Sequence, residues 1–243
     1  MYYQRKGLLD LPPVVKTLLI INVGMFLLSM AFPEMKLYLS IFSFKSEFFK
    51  PVQLITHMFM HGSFGHLFFN MFALYMFGKI LEDVWGPKRF FIYYFVTGLG
   101  AALLHLGVVQ LEVNSLIGEM SADKVQLVLS EGGNLLMSGR NYVDPQMSDL
   151  NLMINTPTVG ASGAIYGLLL AFGMMFPNVL LYVYFAIPIK AKYLVMIFTA
   201  IEIYLGFMNR AGDNVAHFAH LGGMLFGLIF LLIWKKHKFN RWQ

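Results

Sequence analysis

No cysteine occurs among the 243 residues. That removes disulfides, thiolate metal sites and cysteine-based catalysis, and leaves the redox state of the compartment open. Charge is scarce too: Asp, Glu, Lys and Arg make up 13% of the chain, where a soluble domain carries roughly 25%. Apolar residues take their place, at 58% of the sequence with a mean hydropathy of +0.63. The few charges cluster and leave long uncharged runs. The chain therefore reads as an integral protein of the lipid bilayer, and a soluble globular domain is excluded. No internal repeat or low-complexity tract interrupts it, so residues 1–243 are expected to form a single membrane domain. The first apolar run follows Arg5 and Lys6 but has no small-x-small site after it, so it is expected to be an anchor rather than a cleaved leader.

A bilayer-spanning helix needs about 20 mostly apolar residues. Six segments qualify, at about 16–32, 63–81, 90–109, 162–176, 192–207 and 215–234, although the fourth is short and Pro177 ends it. The apolar stretch 178–189, interrupted by Pro188, is expected to be an interfacial connection and not a seventh span. The fold class is thus all-α, a polytopic six-helix bundle. Six spans put both termini on one side. That side collects Arg5, Lys6, Lys16, Lys79, Lys88, Arg89, Lys190, Lys192, Lys235, Lys236, Lys238 and Arg241, 12 of the 18 basic residues, whereas nine of the 13 acids lie opposite. The excess of basic residues makes both termini cytoplasmic. Because topology accounts for the +5 formal charge, no nucleic-acid partner is inferred. One connection is long: 110–157, rich in acids and carrying a Gly132-Gly133 pair that reads as a break. A loop of that length is expected to be functional or partly disordered.

Polar side chains inside these runs are few, and they converge. His66 and Asn70 stand at i, i+4 in the outer half of span two, on one helix face. Ser162 opens span four in Gly160-Ala161-Ser162-Gly163, and His220 lies one to two turns into span six. All four sit at a similar outer depth on three separate helices. Polar groups in lipid are costly and usually functional. Acyl transfer is the chemistry they suit. A serine hydroxyl is a weak nucleophile until a base takes its proton, and neutral imidazole is the usual base near neutral pH. Ser162 would attack a carbonyl with His220 as general base, and the oxyanion would be met by the Ser162 N–H at a helix N-terminus, the Asn70 amide and His66. Gly163 with Gly167, and Gly223 with Gly227, give small faces for close helix approach. Tyr166, one turn from Ser162, shares its face and is expected to stack on His220. The acid nearest His217 or His220 in sequence is Asp213, in a loop, so a Ser-His dyad is expected in place of a triad.

These segments resemble the signatures of the rhomboid intramembrane serine proteases: Gly160-Ala161-Ser162-Gly163, His66-Leu67-Phe68-Phe69-Asn70, and Ala219-His220-Leu221-Gly222-Gly223-Met224-Leu225-Phe226-Gly227. The resemblance covers roughly residues 14–234. It implies a Ser162–His220 dyad, an oxyanion hole of His66 and Asn70, Tyr166 stacked on His220, and cleavage of transmembrane protein substrates near the outer membrane face, with no cofactor and no metal. Glu82-Asp83-Val84-Trp85-Gly86 also resembles a family pattern of structural character. Two features depart from the pattern: the long 110–157 connection, and a loop after span one (33–53) without the tryptophan-arginine pair of some members. A bacterial inner (cytoplasmic) membrane is the expected location.

Several alternatives bear on this reading. The hydrolase motif Gly-x-Ser-x-Gly is not met, because Ala164 takes its last position. His217 is a rival base but lacks the trailing glycine pair that follows His220. His57/His61 and His217/His220 have helical metal-ligand spacing, yet no His-Glu-x-x-His pattern accompanies them. His105 reads as a helix-end group and His237 as part of the basic tail. Glu202, mid-span, is either functional or hydrogen-bonded to a neighbouring helix. A non-catalytic membrane-protein binder or chaperone on the same scaffold is the alternative function. A transporter is disfavoured by the lack of paired broken helices.

Overall fold

The computed structural model describes residues 10–183, 186–208 and 216–239. Its helices, in chain order, are α1 (Pro13–Ala31), α2 (Met35–Leu39), α3 (Gln53–Thr56), α4 (Phe64–Ala73), α5 (Lys79–Trp85), α6 (Pro87–Glu119), α7 (Ala122–Met137), α8 (Pro145–Asn155), α9 (Ser162–Met175), α10 (Ala191–Met208) and α11 (His217–Phe239). A π-helical turn over Leu74–Gly78 joins α4 to α5 into one 22-residue rod. Five rods among the described residues are long and apolar enough to cross a bilayer: α1, α4–α5, α6, α10 and α11 up to Trp234. The sixth, α9, has only 14 residues. Large apolar side chains such as Ile20, Leu27, Phe69, Ile197 and Phe207 point outward, as lipid-facing surfaces require and as a water-facing surface would not tolerate in such number. The protein is an all-α integral membrane bundle.

α9 is the central element. Nine of its 14 residues are buried, and it packs chiefly against α6 and α11, which also pack on each other. Glycine sets the spacing. A methyl group on Gly223 of α11 would stand 1.8 Å from the Gly163 carbonyl oxygen of α9, and one on Gly163 would stand 2.4 Å from Ala101 Cβ of α6. Gly167 and Gly227 are used differently from the face-to-face pairing expected of them. Both are closed by α6, at Thr97 and at the Tyr93 hydroxyl respectively.

Helix ends follow local chemistry. Ser63 caps α4 by accepting from the His66 N–H at 3.2 Å, and Asp144 caps α8 by accepting from Met147 N–H at 3.1 Å. Gly86, at φ +78°, makes the sharp turn between α5 and α6, and Pro87 then starts α6 without needing a backbone donor. The start of α1 is capped from a distance. The buried Glu82 carboxylate accepts from Val14 N–H at 3.0 Å and Val15 N–H at 2.8 Å, taking up orphan donors at the positive end of the helix. That is the structural role of the Glu82–Gly86 segment.

Three expectations are corrected. The 110–157 stretch is largely helix. α6 continues to Glu119, about 50 Å in all, which is some 20 Å more than a bilayer core. α7 and α8 pack on its projecting end around Val113, Val128, Met147, Leu150 and Ile154. Gly132-Gly133 breaks nothing: both lie inside α7, where the missing side chains admit Asn151 of α8 and Phe48. His105 is not at a helix end but within α6, its Nε2 3.0 Å from Thr158 Oγ1, because the helix runs on past residue 109. The appendage is tied to the 33–53 loop through Ser46 Oγ to Asn155 Oδ1 at 2.7 Å and Asn155 Nδ2 to Asn151 Oδ1 at 2.9 Å. The 178–189 stretch contains an antiparallel hairpin, Leu180–Val183 with Ile187–Lys190, which takes up the connection without another crossing.

Replacing Glu82 by Ala leaves two α1 donors without an acceptor. The variant is expected to lose about 3 kcal/mol, read as a lower midpoint of thermal unfolding in detergent, with Glu82→Gln losing less because it keeps one acceptor.

Candidate functional site

Ser162 is the first residue of α9. The turn before it needs Gly160, whose φ of +127° L side chains rarely adopt. A methyl group there would also meet the His66 ring, 2.7 Å from Cε1 and 3.6 Å from Ser162 Oγ, so glycine lets the two side chains stand side by side. The Gly160 N–H donates to the His57 carbonyl at 2.9 Å, and Thr158 pairs with Ile41 through two backbone hydrogen bonds. The serine is therefore presented by a loop held at both sides.

From α11, four residues into the helix, His220 brings Nε2 to 2.9 Å from Ser162 Oγ. The Tyr166 ring lies parallel to the imidazole, 10° between planes and 4.1 Å between centroids. This follows from i, i+4 spacing on α9, which puts Tyr166 beneath Ser162 on the same face. Both partners come from helices held at glycine distance, with Gly163 and Gly223 at the crossing.

His66 and Asn70 line the same cavity as Ser162, Tyr166 and His220. Asn70 Nδ2 donates one hydrogen to the His66 carbonyl at 2.9 Å, leaving its second amide hydrogen uncommitted by that bond. The cavity measures about 790 Å³, and its other walls are apolar: Phe69, Phe72 and Phe77 on one side, Ile165 and Leu169 beneath, Leu194 and Phe198 of α10 opposite. It lies between the α4–α5 rod and α10. A second void of about 20 Å³ lies behind Ser162, lined in part by His57, His105 and Thr158. That is enough for one water. His57 donates from Nδ1 to the Gln53 carbonyl at 2.8 Å, and burial pushes its pKa down to about 4, so the ring is neutral at ordinary pH. His61 sits edge-on to His66 at 5.1 Å between centroids.

The expectation that no acid stands near His220 is corrected. Glu202 of α10 is buried. Its Oε2 is 2.6 Å from His217 Nδ1, its Oε1 accepts from the Tyr166 hydroxyl, and the same Oε1 is 3.0 Å from His220 Nδ1. The rival base His217 is thus turned to the carboxylate, while His220 is the ring that reaches the serine. Asp213, the acid nearest in sequence, lies outside the described residues. Sequence spacing does not place Glu202 beside His220, because the two are on different helices. The available signal was an ionisable residue in mid-span with two histidines and a tyrosine able to meet it. Glu202, His217 and His220 also place one possible ligand atom each within 4.8 Å of one another, the one set among the described residues from which a metal ion could be held.

A model of the rhomboid domain matches residues 49–237, and the chain belongs to that family. Among curated proteins it is similar to RHOMBOID-like protein 12, mitochondrial, of Arabidopsis thaliana, 28% identical over 214 residues, covering 86% of this chain and 55% of the relative. It is 25% identical over 186 residues to Rhomboid protein 1, mitochondrial, of Saccharomyces cerevisiae, covering 74% of this chain and 40% of that one. With the putative rhomboid protease YdcA of Bacillus subtilis it shares 26% over 190 residues, 76% of this chain and 69% of the relative. The chain thus spans about half the length of the first two.

Gly223→Ala forces α11 away from α9 and is expected to cost about 1–3 kcal/mol by overpacking, measured by thermal unfolding. Gly107→Ala in α6 meets nothing within 4 Å and should leave stability unchanged or raise it by up to about 1 kcal/mol.

Proposed function

We propose that this protein is an intramembrane serine endopeptidase that cuts transmembrane protein substrates near the extracytoplasmic membrane face. One observation carries the reading: the 2.9 Å approach of Ser162 Oγ to His220 Nε2 at the wall of a cavity enclosed by apolar helices. Family membership and a bacterial relative whose name is putative rhomboid protease support it.

The chemistry runs through these atoms. His220 Nε2 takes the Ser162 proton as Oγ attacks the scissile carbonyl. The charge on the carbonyl oxygen is met by the Ser162 N–H at the helix N-terminus, by the free Asn70 amide hydrogen and by His66. His220 then returns the proton to the leaving amine, and water completes hydrolysis by the same route. Tyr166 keeps the imidazole in plane, and Gly160 and Gly163 leave room for the two side chains and the two helices. The short α9 explains how water-dependent chemistry is compatible with lipid. Fourteen residues give about 21 Å against a core of about 30 Å. A helix seated at one membrane face thus ends about 9 Å short of the other, and its first residue lines the cavity.

The apolar cavity walls suit a short extended stretch of an unwound transmembrane segment, entering between the α4–α5 rod and α10. Both termini are proposed to face the cytoplasm on the basic-residue bias. The membrane is proposed to be the bacterial cytoplasmic membrane. A non-catalytic binder on this scaffold would need no serine–imidazole contact, and no observation favours it.

Ser162→Ala and His220→Ala are each expected to abolish cleavage of a single-span reporter by the detergent-purified protein, together with labelling by a fluorophosphonate probe. Undiminished cutting by Ser162→Ala would end the proposal. Asn70→Ala is expected to lower kcat by about 100- to 1000-fold while the protein stays folded.

A further inference from the structure

The Ser-His pair accounts for two of the polar groups gathered here and leaves a buried carboxylate unexplained. We propose that Glu202 is a positioning residue for His220. It selects the ring tautomer that leaves Nε2 able to accept the Ser162 proton, and it faces the positive charge that the ring acquires. The inference rests on the serine-protease reading above and adds a third member to its machinery.

Tautomer is the first constraint. Nε2 faces the serine oxygen at 2.9 Å, so it must be unprotonated to act as base, and the ring hydrogen must sit on Nδ1. Nδ1 is buried without a hydrogen-bonding partner of good alignment, and the nearest carboxylate oxygen is Glu202 Oε1 at 3.0 Å. The distance is that of a hydrogen bond, whereas the N–H direction is off the oxygen. Catalytic hydrogen bonds are often poorly aligned in resting active sites and tighten when substrate arrives.

Second, the carboxylate cannot move away. Oε1 is held by the Tyr166 hydroxyl from α9 and Oε2 by His217 Nδ1 from α11 at 2.6 Å. Tyr166 thus serves twice: its face fixes the plane of the His220 ring, and its hydroxyl fixes the oxygen that the ring edge addresses. With the plane set by stacking, rotation within that plane is the freedom that remains, and Glu202 opposes it. A tether between helices would need only one of these contacts. The placing of Oε1 3.0 Å from Nδ1 of the one imidazole that reaches Ser162, with both carboxylate oxygens already held by other side chains, is what a purely structural role leaves unexplained.

The proton count is simple. On attack, the Ser162 O–H bond breaks, its proton passes to His220 Nε2, and the oxygen pair forms the bond to the substrate carbonyl carbon. The ring then carries hydrogens on both nitrogens and a positive charge. Nδ1 keeps its hydrogen and Glu202 stays a carboxylate, so no proton passes to it. When the tetrahedral intermediate collapses, the Nε2 proton leaves with the amine.

The test uses the whole protein in detergent, with cleavage kinetics on a single-span reporter and the rate of fluorophosphonate labelling of Ser162. Glu202→Gln, which keeps size and removes charge, is expected to lower both kcat and the labelling rate by about 100- to 10,000-fold, the upper figure being that of the orienting acid of a serine triad, with KM changed less than about threefold. Glu202→Asp should recover at least about tenfold of that loss. Labelling and kcat within about threefold of the parent in folded Glu202→Gln would overturn the proposal, as would an effect confined to KM or a labelling rate that rises with added zinc and falls with a chelator. A second measurement needs no variant: the parent protein is examined by NMR with ¹⁵N-labelled histidine. The His220 ring should carry its hydrogen on Nδ1, and a ring protonated on Nε2 alone would sink the idea without any mutation. Failure of the protease reading is seen separately, from Ser162→Ala.

Discussion

The contact between α9 and α11 is the constraint on which the rest depends. At Gly163 and Gly223 the backbones meet so closely that a single added methyl group would fall 1.8 Å from a carbonyl oxygen. In lipid no hydrophobic effect drives helices together, so close packing of small residues must supply the attraction. This crossing does so, and it also fixes the geometry of the candidate site. It sits one residue beyond Ser162 and three beyond His220, so the distance between helix axes sets the distance between hydroxyl and imidazole. α6 braces the pair from behind, with Gly100 receiving the Phe226 ring and Thr97 filling the hollow at Gly167. A rigid three-helix centre is what a site requiring sub-ångström placement needs.

Around that centre the two buried carboxylates are each paired with groups that cannot leave. Glu82 is spent on two backbone donors of α1. Glu202 is shared between Tyr166 and His217 and approaches His220. Both carboxylates sit where an unpaired charge would be prohibitive, and the two have different consequences: one joins a helix start to a helix end, the other approaches the His220 ring. The same logic gives the α7–α8 appendage its order, where Ser46, Asn155, Asn151 and Asn141 form a chain of side-chain hydrogen bonds.

Much of the fold was legible in the residues because its signals are local. Long uncharged runs give spans, Pro177 ends α9, and Gly-x-Ser-Gly with His-x-x-x-Asn names the segments that carry polar groups. The less legible parts are those where sequence-local rules are outvoted. Gly132-Gly133 reads as a break by intrinsic propensity, yet it lies mid-helix because α8 and Phe48 press against the vacant positions and recover in packing what the backbone loses. The connection at 110–157 reads as loop because its charges interrupt every apolar run, whereas its amphipathic helices bury their apolar faces on the protruding end of α6.

Composition and hydropathic pattern by themselves determined that this is a membrane protein, where its spanning helices lie, and which side chains are too polar to be there without a reason. The glycine pair after His220 already favoured it over His217. Only the tertiary structure decided how the two rings are shared out, His220 to the serine and His217 to Glu202, since three residues of helix rotate them by most of a turn and that rotation has meaning only against a neighbouring helix. It alone also decided that Glu202, 40 residues from Ser162 in the chain, closes the polar cluster. A helix writes its own face into its sequence, but which faces are brought opposite one another is settled by the closest approach that glycine allows.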